Sequence, residues 1–176
     1  MPGKAKFDFL IGQHKNRIYS YAIYMTHNIM DAEDITQEVM IRTWQNINNF
    51  KFLSAKAWMM RTTHNLCIDY LRRNKKIYKH EMQIDESYEE TLPDESFETD
   101  PVKTSERTGI KENLNVAIEK LPERLKSPFV LYEIQGFKYK EIGDILDIPL
   151  NTVKVNIMRA RKELQKLLRE YAKDYK

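Results

Sequence analysis

Residues 139–168 read YKEIGDILDIPLNTVKVNIMRARKELQKLL, and this stretch decides what the C-terminal part of the chain is. Ile142, Ile145 and Leu146 recur at helical spacing, and after the break at Asp147-Ile148-Pro149 so do Val153, Ile157, Ala160 and Leu164. Each helix therefore has one apolar stripe. Gly143 falls where the two helices would cross closely, so a side chain there would push them apart. Asp147 holds the corner, where the backbone turns left-handed; glycine does this best, but aspartate tolerates it. Pro149 cannot continue the first helix, because its ring clashes with the preceding turn and it lacks a donor. Asn151 or Thr152 can then cap the second. The pattern predicts a helix-turn-helix, a unit that lays its second helix in the major groove of DNA. With Val153 and Ile157 turned inward, the outward face carries Thr152, Lys154, Val155, Asn156, Arg159 and Lys162. Asn and Arg suit base edges there, and Lys suits phosphate.

Working outward, few glycines and prolines and no sustained period-two alternation point to an all-α protein across the 176 residues. The net charge of +3 says little, whereas its distribution is informative. Between Arg61 and Lys79 the basic residues Arg61, Arg72, Arg73, Lys75, Lys76 and Lys79 are opposed only by Asp69. From Glu81 to Glu106 the balance reverses, and a second basic block runs from Lys154 to Arg169. Two basic segments around an acidic one suggest two nucleic-acid-facing modules with a solvated connector.

The expected organisation is two small helical domains, 1–80 and 110–176, joined by an acidic flexible linker over 81–109. The linker is poor in aliphatic residues and broken by Pro93 and Pro101, so burial cannot offset its chain entropy. In the first domain, helical patterns cover Phe7 to Thr26, Ala32 to Asn46 and Ala55 to Lys79. Asp31 is placed to cap the second of these. Tyr21 and Trp44 are assigned to the core. In the second domain, Leu114, Ile118 and Leu121 precede Pro122, and a further helix holds Phe129, Val130 and Ile134.

Cys67 is the only cysteine, so no intrachain disulfide is possible and a reducing cytoplasm is the natural compartment. The start lacks a signal-peptide core, and no apolar run is long enough to span a bilayer. His64 and Cys67 have a ligand-like spacing but lack a second pair, so neither a metal site nor a cofactor is expected. His14, His27 and His80 are scattered.

The segments Asp31-Ala32-Glu33-Asp34-Ile35-Thr36-Gln37-Glu38-Val39, the later Phe50, Trp58 and Asn65, then Leu121-Pro122, Glu141-Ile142-Gly143 and Thr152-Val153-Lys154 with Arg159-Ala160-Arg161 resemble the bacterial sigma-70 family. The size and two-module plan are similar to its extracytoplasmic-function (ECF) group, which keeps sigma regions two and four. That resemblance implies a sigma factor that binds core RNA polymerase and directs promoter recognition, DNA melting and transcription initiation, with no enzymatic chemistry of its own. It assigns Asp31, Glu33, Asp34, Gln37 and Glu38 to the clamp helices of the polymerase largest subunit. It assigns Phe50, Phe52, Ser54, Arg61, Asn65, Arg72 and Arg73 to the melted minus-ten element. The physics fits, because an extruded base must be received by stacking or a pocket and the strand tracked by cations. It assigns Asn151, Thr152, Lys154, Val155, Asn156, Arg159 and Lys162 to the minus-thirty-five element. It further implies an anti-sigma partner that holds the protein inactive.

The family commonly has Gly before Thr-Val-Lys and Ser-Arg after it; here Asn151 precedes and Val155-Asn156 follow, so promoter preference cannot be carried across. A stand-alone helix-turn-helix regulator is the alternative, but it would need dimerisation to read paired half-sites, and no coiled-coil seam is visible. A nuclease is a weaker one, since five glycines leave little room for a phosphate-cradling loop. The linker predicts weak promoter binding by the free chain. Elements two helical turns apart span ~70 Å, whereas a free linker of this length has an end-to-end distance of roughly 30 Å.

Overall fold

The computed structural model describes residues 2–49, 51–84 and 106–174, all of its regular elements being helical. The first module holds α1 (Pro2–Thr26), α2 (Ile29–Gln45) and α3 (Phe52–Ile84). Leu10, Ile18, Tyr21, Ala22 and Met25 share one face of α1 and are buried against α2 and α3. Those helices supply Ala32, Ile35 and Val39, and Ala55, Met59, Met60 and Cys67. Threonines in this core need partners for their hydroxyls. Thr36, Thr43 and Thr63 donate to the carbonyls of Ala32, Val39 and Met59 at 2.6, 2.7 and 2.7 Å.

Several boundaries differ from the sequence pattern. The cap of α2 is Asn28, not Asp31: its side-chain oxygen accepts from the Asp31 N–H at 3.1 Å. His27, with a left-handed φ of 54°, turns the chain and starts the helix early, before the apolar period begins; Ile29 and Met30 are exposed. Asp31 therefore sits in the first turn, where its charge complements the helix dipole. Ser54, expected in a loop, lies in the first turn of α3. The Lys51 carbonyl accepts its N–H at 3.0 Å and its hydroxyl at 2.9 Å. Trp44 is 49% exposed rather than in the core. Thr43 takes the inward position, and one residue further along a helix points about 100° away.

The second module holds α4 (Glu106–Glu119), α5 (Glu123–Phe129), α6 (Tyr139–Leu146) and α7 (Leu150–Asp174), and α4, α5 and α6 all pack on α7. After α5 the backbone widens into a π-helical turn over Val130–Ile134, where the Gln135 N–H reaches the Val130 carbonyl at 3.0 Å. That wider turn rotates Ile134 out of the helical register, leaving it exposed while Val130 and Leu131 stay buried.

The helix-turn-helix forms as its pattern predicts. Val153, Ile157, Ala160 and Leu164 are buried together with Ile142 and Ile145. Asp147 is left-handed, at φ 55° and ψ 48°. Gly143 is required by the turn itself: a Cβ there would lie 3.0 Å from the backbone oxygen of Ile148. At the start of α6 the Glu141 carboxylate reaches back to the Lys138 N–H at 2.8 Å. Since α7 begins at Leu150, Asn151 and Thr152 fall inside its first turn instead of capping it.

Two helical domains are present, as expected, and they abut. The first packs α3 on α6 and touches α4 and α5 through α1. The helices take in the ends of the predicted linker, since α3 runs to Ile84 and α4 starts at Glu106; its remainder, residues 85–105, lies outside the described residues, as does Phe50.

Candidate nucleic-acid interface

The outward face of α7 follows from the burial of its inner stripe. Asn151, Thr152, Lys154, Val155, Arg159 and Lys162 are exposed on one helix, a surface with cations for phosphate and an amide and a guanidinium for base edges. Asn156 is only half-exposed, because it lines a groove that also contains His64, Ile68 and Arg72 of α3. Arg161 is held back from any such surface. Its guanidinium donates to Glu133 at 2.8 Å and lies 5.6 Å from the Tyr132 ring centroid.

The acidic residues of α2 gather on the first module. Glu33, Asp34 and Gln37 are exposed, Asp31 is half-buried, and Glu38 pairs with Arg42 at 2.6 Å. Asp31, Asp34 and Glu38 line a cleft with Ile35, Leu66, Tyr70 and Arg73. Burial and a hydrogen bond to the Asp31 carboxylate push the Tyr70 phenol up. Arg73, which the family resemblance assigns to the DNA strand, thus shares a cleft with Asp31, Asp34 and Glu38.

The remaining predicted strand contacts divide. Phe52 is 49% exposed, and its ring centroid is 5.2 Å from that of Phe9, an aromatic partner on α1 that the sequence reading did not select. Asn65 and Arg72 are exposed on α3. Ser54 has its hydroxyl committed to the Lys51 carbonyl. Arg61 is engaged across the molecule, donating to the backbone carbonyl of Asp144 in α6.

Arg61 is one of a line of contacts between the modules. Phe137, 2% exposed, has Lys56 at 4.2 Å and Arg17 at 5.1 Å from its ring centroid. Arg17 also donates to the Gln135 carbonyl at 3.0 Å, and Lys56 lies 3.5 Å from Glu141. Lys75 meets Glu123 at 3.0 Å. Nearly all the cations in this line come from the first module, and their acceptors from the second.

Known proteins were compared with this fold and these surfaces. The family model described as Sigma-70 region 2 matches residues 10–77, and that described as Sigma-70, region 4 matches residues 105–164. The chain belongs to the sigma-70 family. Among its relatives, the ECF RNA polymerase sigma factor SigE of Mycolicibacterium smegmatis is 32% identical over 168 residues, covering 96% of this chain. This chain spans 63% of that protein. The ECF RNA polymerase sigma factor SigW of Bacillus subtilis is 32% identical over 170 residues, covering 93% of this chain and 89% of SigW. These place the sigma factor in the ECF group, with a role in transcription initiation. The solved sigma factor RpoE of Bartonella quintana, in complex with the anti-sigma factor NepR, shares the fold at a TM-score of 0.69 and 20% identity. The match covers 93% of this chain and 96% of that one. CnrH, solved with the cytosolic domain of CnrY, shares it at 0.66 and 19% identity, over 93% of this chain and 88% of that one.

In the sigma factor's described residues no helix is long and apolar enough to cross a membrane, and no group of His, Cys, Asp or Glu is arranged to hold a metal ion. Cys67 is fully buried and burial pushes its thiol up to about 12, while His64 Nδ1 and the Tyr21 hydroxyl are hydrogen-bonded at 2.9 Å. The ligand-like spacing of these two residues is used for packing and hydrogen bonding within the first module.

Proposed function

We propose that this sigma factor performs no catalysis and acts in the cytoplasm by lending core RNA polymerase a choice of start site. Residues 1–80 dock and melt, residues 81–109 connect, and residues 110–176 anchor the upstream duplex. Asp31, Glu33, Asp34, Gln37 and Glu38 meet the clamp helices of the polymerase. Phe50, Phe52, Ser54, Asn65, Arg61, Arg72 and Arg73 form the surface toward the melted minus-ten strand. Asn151, Thr152, Lys154, Val155, Asn156, Arg159 and Lys162 face the minus-thirty-five duplex. An anti-sigma protein holds the pair of modules inactive, a partner suggested by the relative solved with NepR.

One observation carries this assignment: a helix rich in exposed carboxylates and a basic helix-turn-helix face stand on separate modules of a chain that matches sigma regions two and four in order. The closed contact between the modules also supports weak promoter binding by the free chain, since Arg61 is already occupied. The test is reconstituted transcription with core polymerase on genomic DNA. New start sites should appear only when the protein is added, and should disappear with Asp34→Lys. Transcripts identical with and without the protein on every template would overturn the proposal.

A further inference from the structure

Two histidines far apart in sequence, His27 and His64, meet the second module, and a third, His14, stands beside the cations that clasp Phe137. His27 Nε2 is 3.0 Å from Nζ of Lys126, a lysine only 6% exposed. An ammonium has no lone pair, so Lys126 donates and His27 must be unprotonated at that nitrogen. His64 is hydrogen-bonded to Tyr21 and lines the groove between α3 and the second module with Arg72, Arg124 and Glu123. His14 faces Arg17 and Lys56, the two cations that clasp Phe137, and its buried Nδ1 has no hydrogen-bond partner.

We propose that the contact between the modules is a proton-sensitive latch, closed while His14, His27 and His64 are neutral and released when they are protonated, which frees Arg61 from the Asp144 carbonyl. A proton on His27 sets two cations 3.0 Å apart and removes the acceptor that holds Lys126. One on His14 adds a third positive charge beside Arg17 and Lys56. One on His64 puts a charge beneath the groove, where Arg72 and Arg124 already stand. Glu119, facing His27, and Glu123, facing His64, oppose the effect without cancelling it. Glu141, beside Lys56, is itself held low by the Lys138 backbone N–H and stays charged.

The direction follows from linkage. Burial first, and then the neighbouring cations, hold His14 and His27 below the ordinary imidazole value, and burial pushes His64 down to about 4. Parting the modules takes His27 away from the Lys126 ammonium, so its value rises toward ~6.5. The open form therefore binds protons more tightly. The closed form has its full advantage above pH ~6.5 and loses it as the pH falls toward the depressed values.

Fluorescence transfer on the full chain tests the latch. Dyes are placed through Lys15→Cys and Lys166→Cys, both exposed sites; buried Cys67 does not compete. Between pH ~7.5 and ~5.5 the transfer should fall along a proton titration while far-ultraviolet circular dichroism keeps its helical signal. The His27→Gln/His64→Gln variant should flatten that titration, and Lys126→Met, which retains the aliphatic stem, should reduce it. Unchanged transfer across the range would overturn the proposal. So would the same titration in both variants, or a change that merely follows loss of helix. Initiation at neutral pH is a separate measurement, so failure of the latch leaves the assignment as an initiation factor standing.

Discussion

Substituting Asp147 isolates the free energy held in the corner of the helix-turn-helix. Its backbone is left-handed at φ 55° and ψ 48°, and its side chain is exposed, so packing contributes little to the comparison. An L-residue in this region costs about 1–2 kcal/mol, and a β-branched one suffers most because its Cβ substituents crowd the following carbonyl. Asp147→Val should therefore lower stability by about 1–2 kcal/mol, or roughly 3–6 °C in Tm for a chain of this size. Asp147→Gly removes the steric cost but enlarges the unfolded ensemble, worth ~0.5–1 kcal/mol in the opposite direction, and should stay near the parent protein. Asp147→Asn keeps the local shape and removes the charge, which separates backbone strain from any electrostatic effect on neighbouring Arg61. Urea unfolding is the assay, with an unchanged slope and a shifted midpoint expected. If valine left the midpoint unmoved, or glycine fell as far as valine, backbone handedness would not be what limits the residue at this corner.

Ile157, on the inner stripe of α7, is 1% exposed, and Ile157→Ala should cost about 2–5 kcal/mol in the same assay, from lost burial and from the cavity left behind. Lys154→Ala and Arg159→Ala remove exposed charges, so each should leave stability within about 0.5 kcal/mol while reducing the salt slope of holoenzyme binding to promoter by about one counterion, as footprinting over a salt series would show. Charge reversal through Glu33→Lys should weaken binding to core polymerase in a pull-down without altering the helical signal. Arg61→Ala should both raise the distance between dye-labelled modules and impair strand melting, read by permanganate reactivity of promoter thymines; loss of neither would remove Arg61 from both roles.

Periodicity made much of the fold legible before any coordinates, because the inner stripe of α7 and the left-handed corner at Asp147 are local consequences of residue order. Helix starts were less legible. Asn28 outcompetes Asp31 as a cap because the left-handed His27 fixes where the turn ends, and Trp44 lost its core place to Thr43, a polar residue that satisfies its hydroxyl within its own helix. The carboxylates of α2 and the outer face of α7 were readable as clusters, since each lies on one helix. Phe9 beside Phe52 was not, because the two rings meet only when α1 crosses the start of α3.

Residue order by itself determined an all-helical chain in two modules, a helix-turn-helix with a basic outer face, and a second helix rich in carboxylate. Hydrophobic period, turn chemistry and charge are properties of neighbours along the chain. Only the tertiary structure decided that the modules close on each other, that Arg61 is spent on the Asp144 carbonyl, and that His27 and His64 both meet the second module. Those pairings join residues up to 118 positions apart, as in the bond from Arg17 to the Gln135 carbonyl, and no local pattern encodes which side chain waits at the other end.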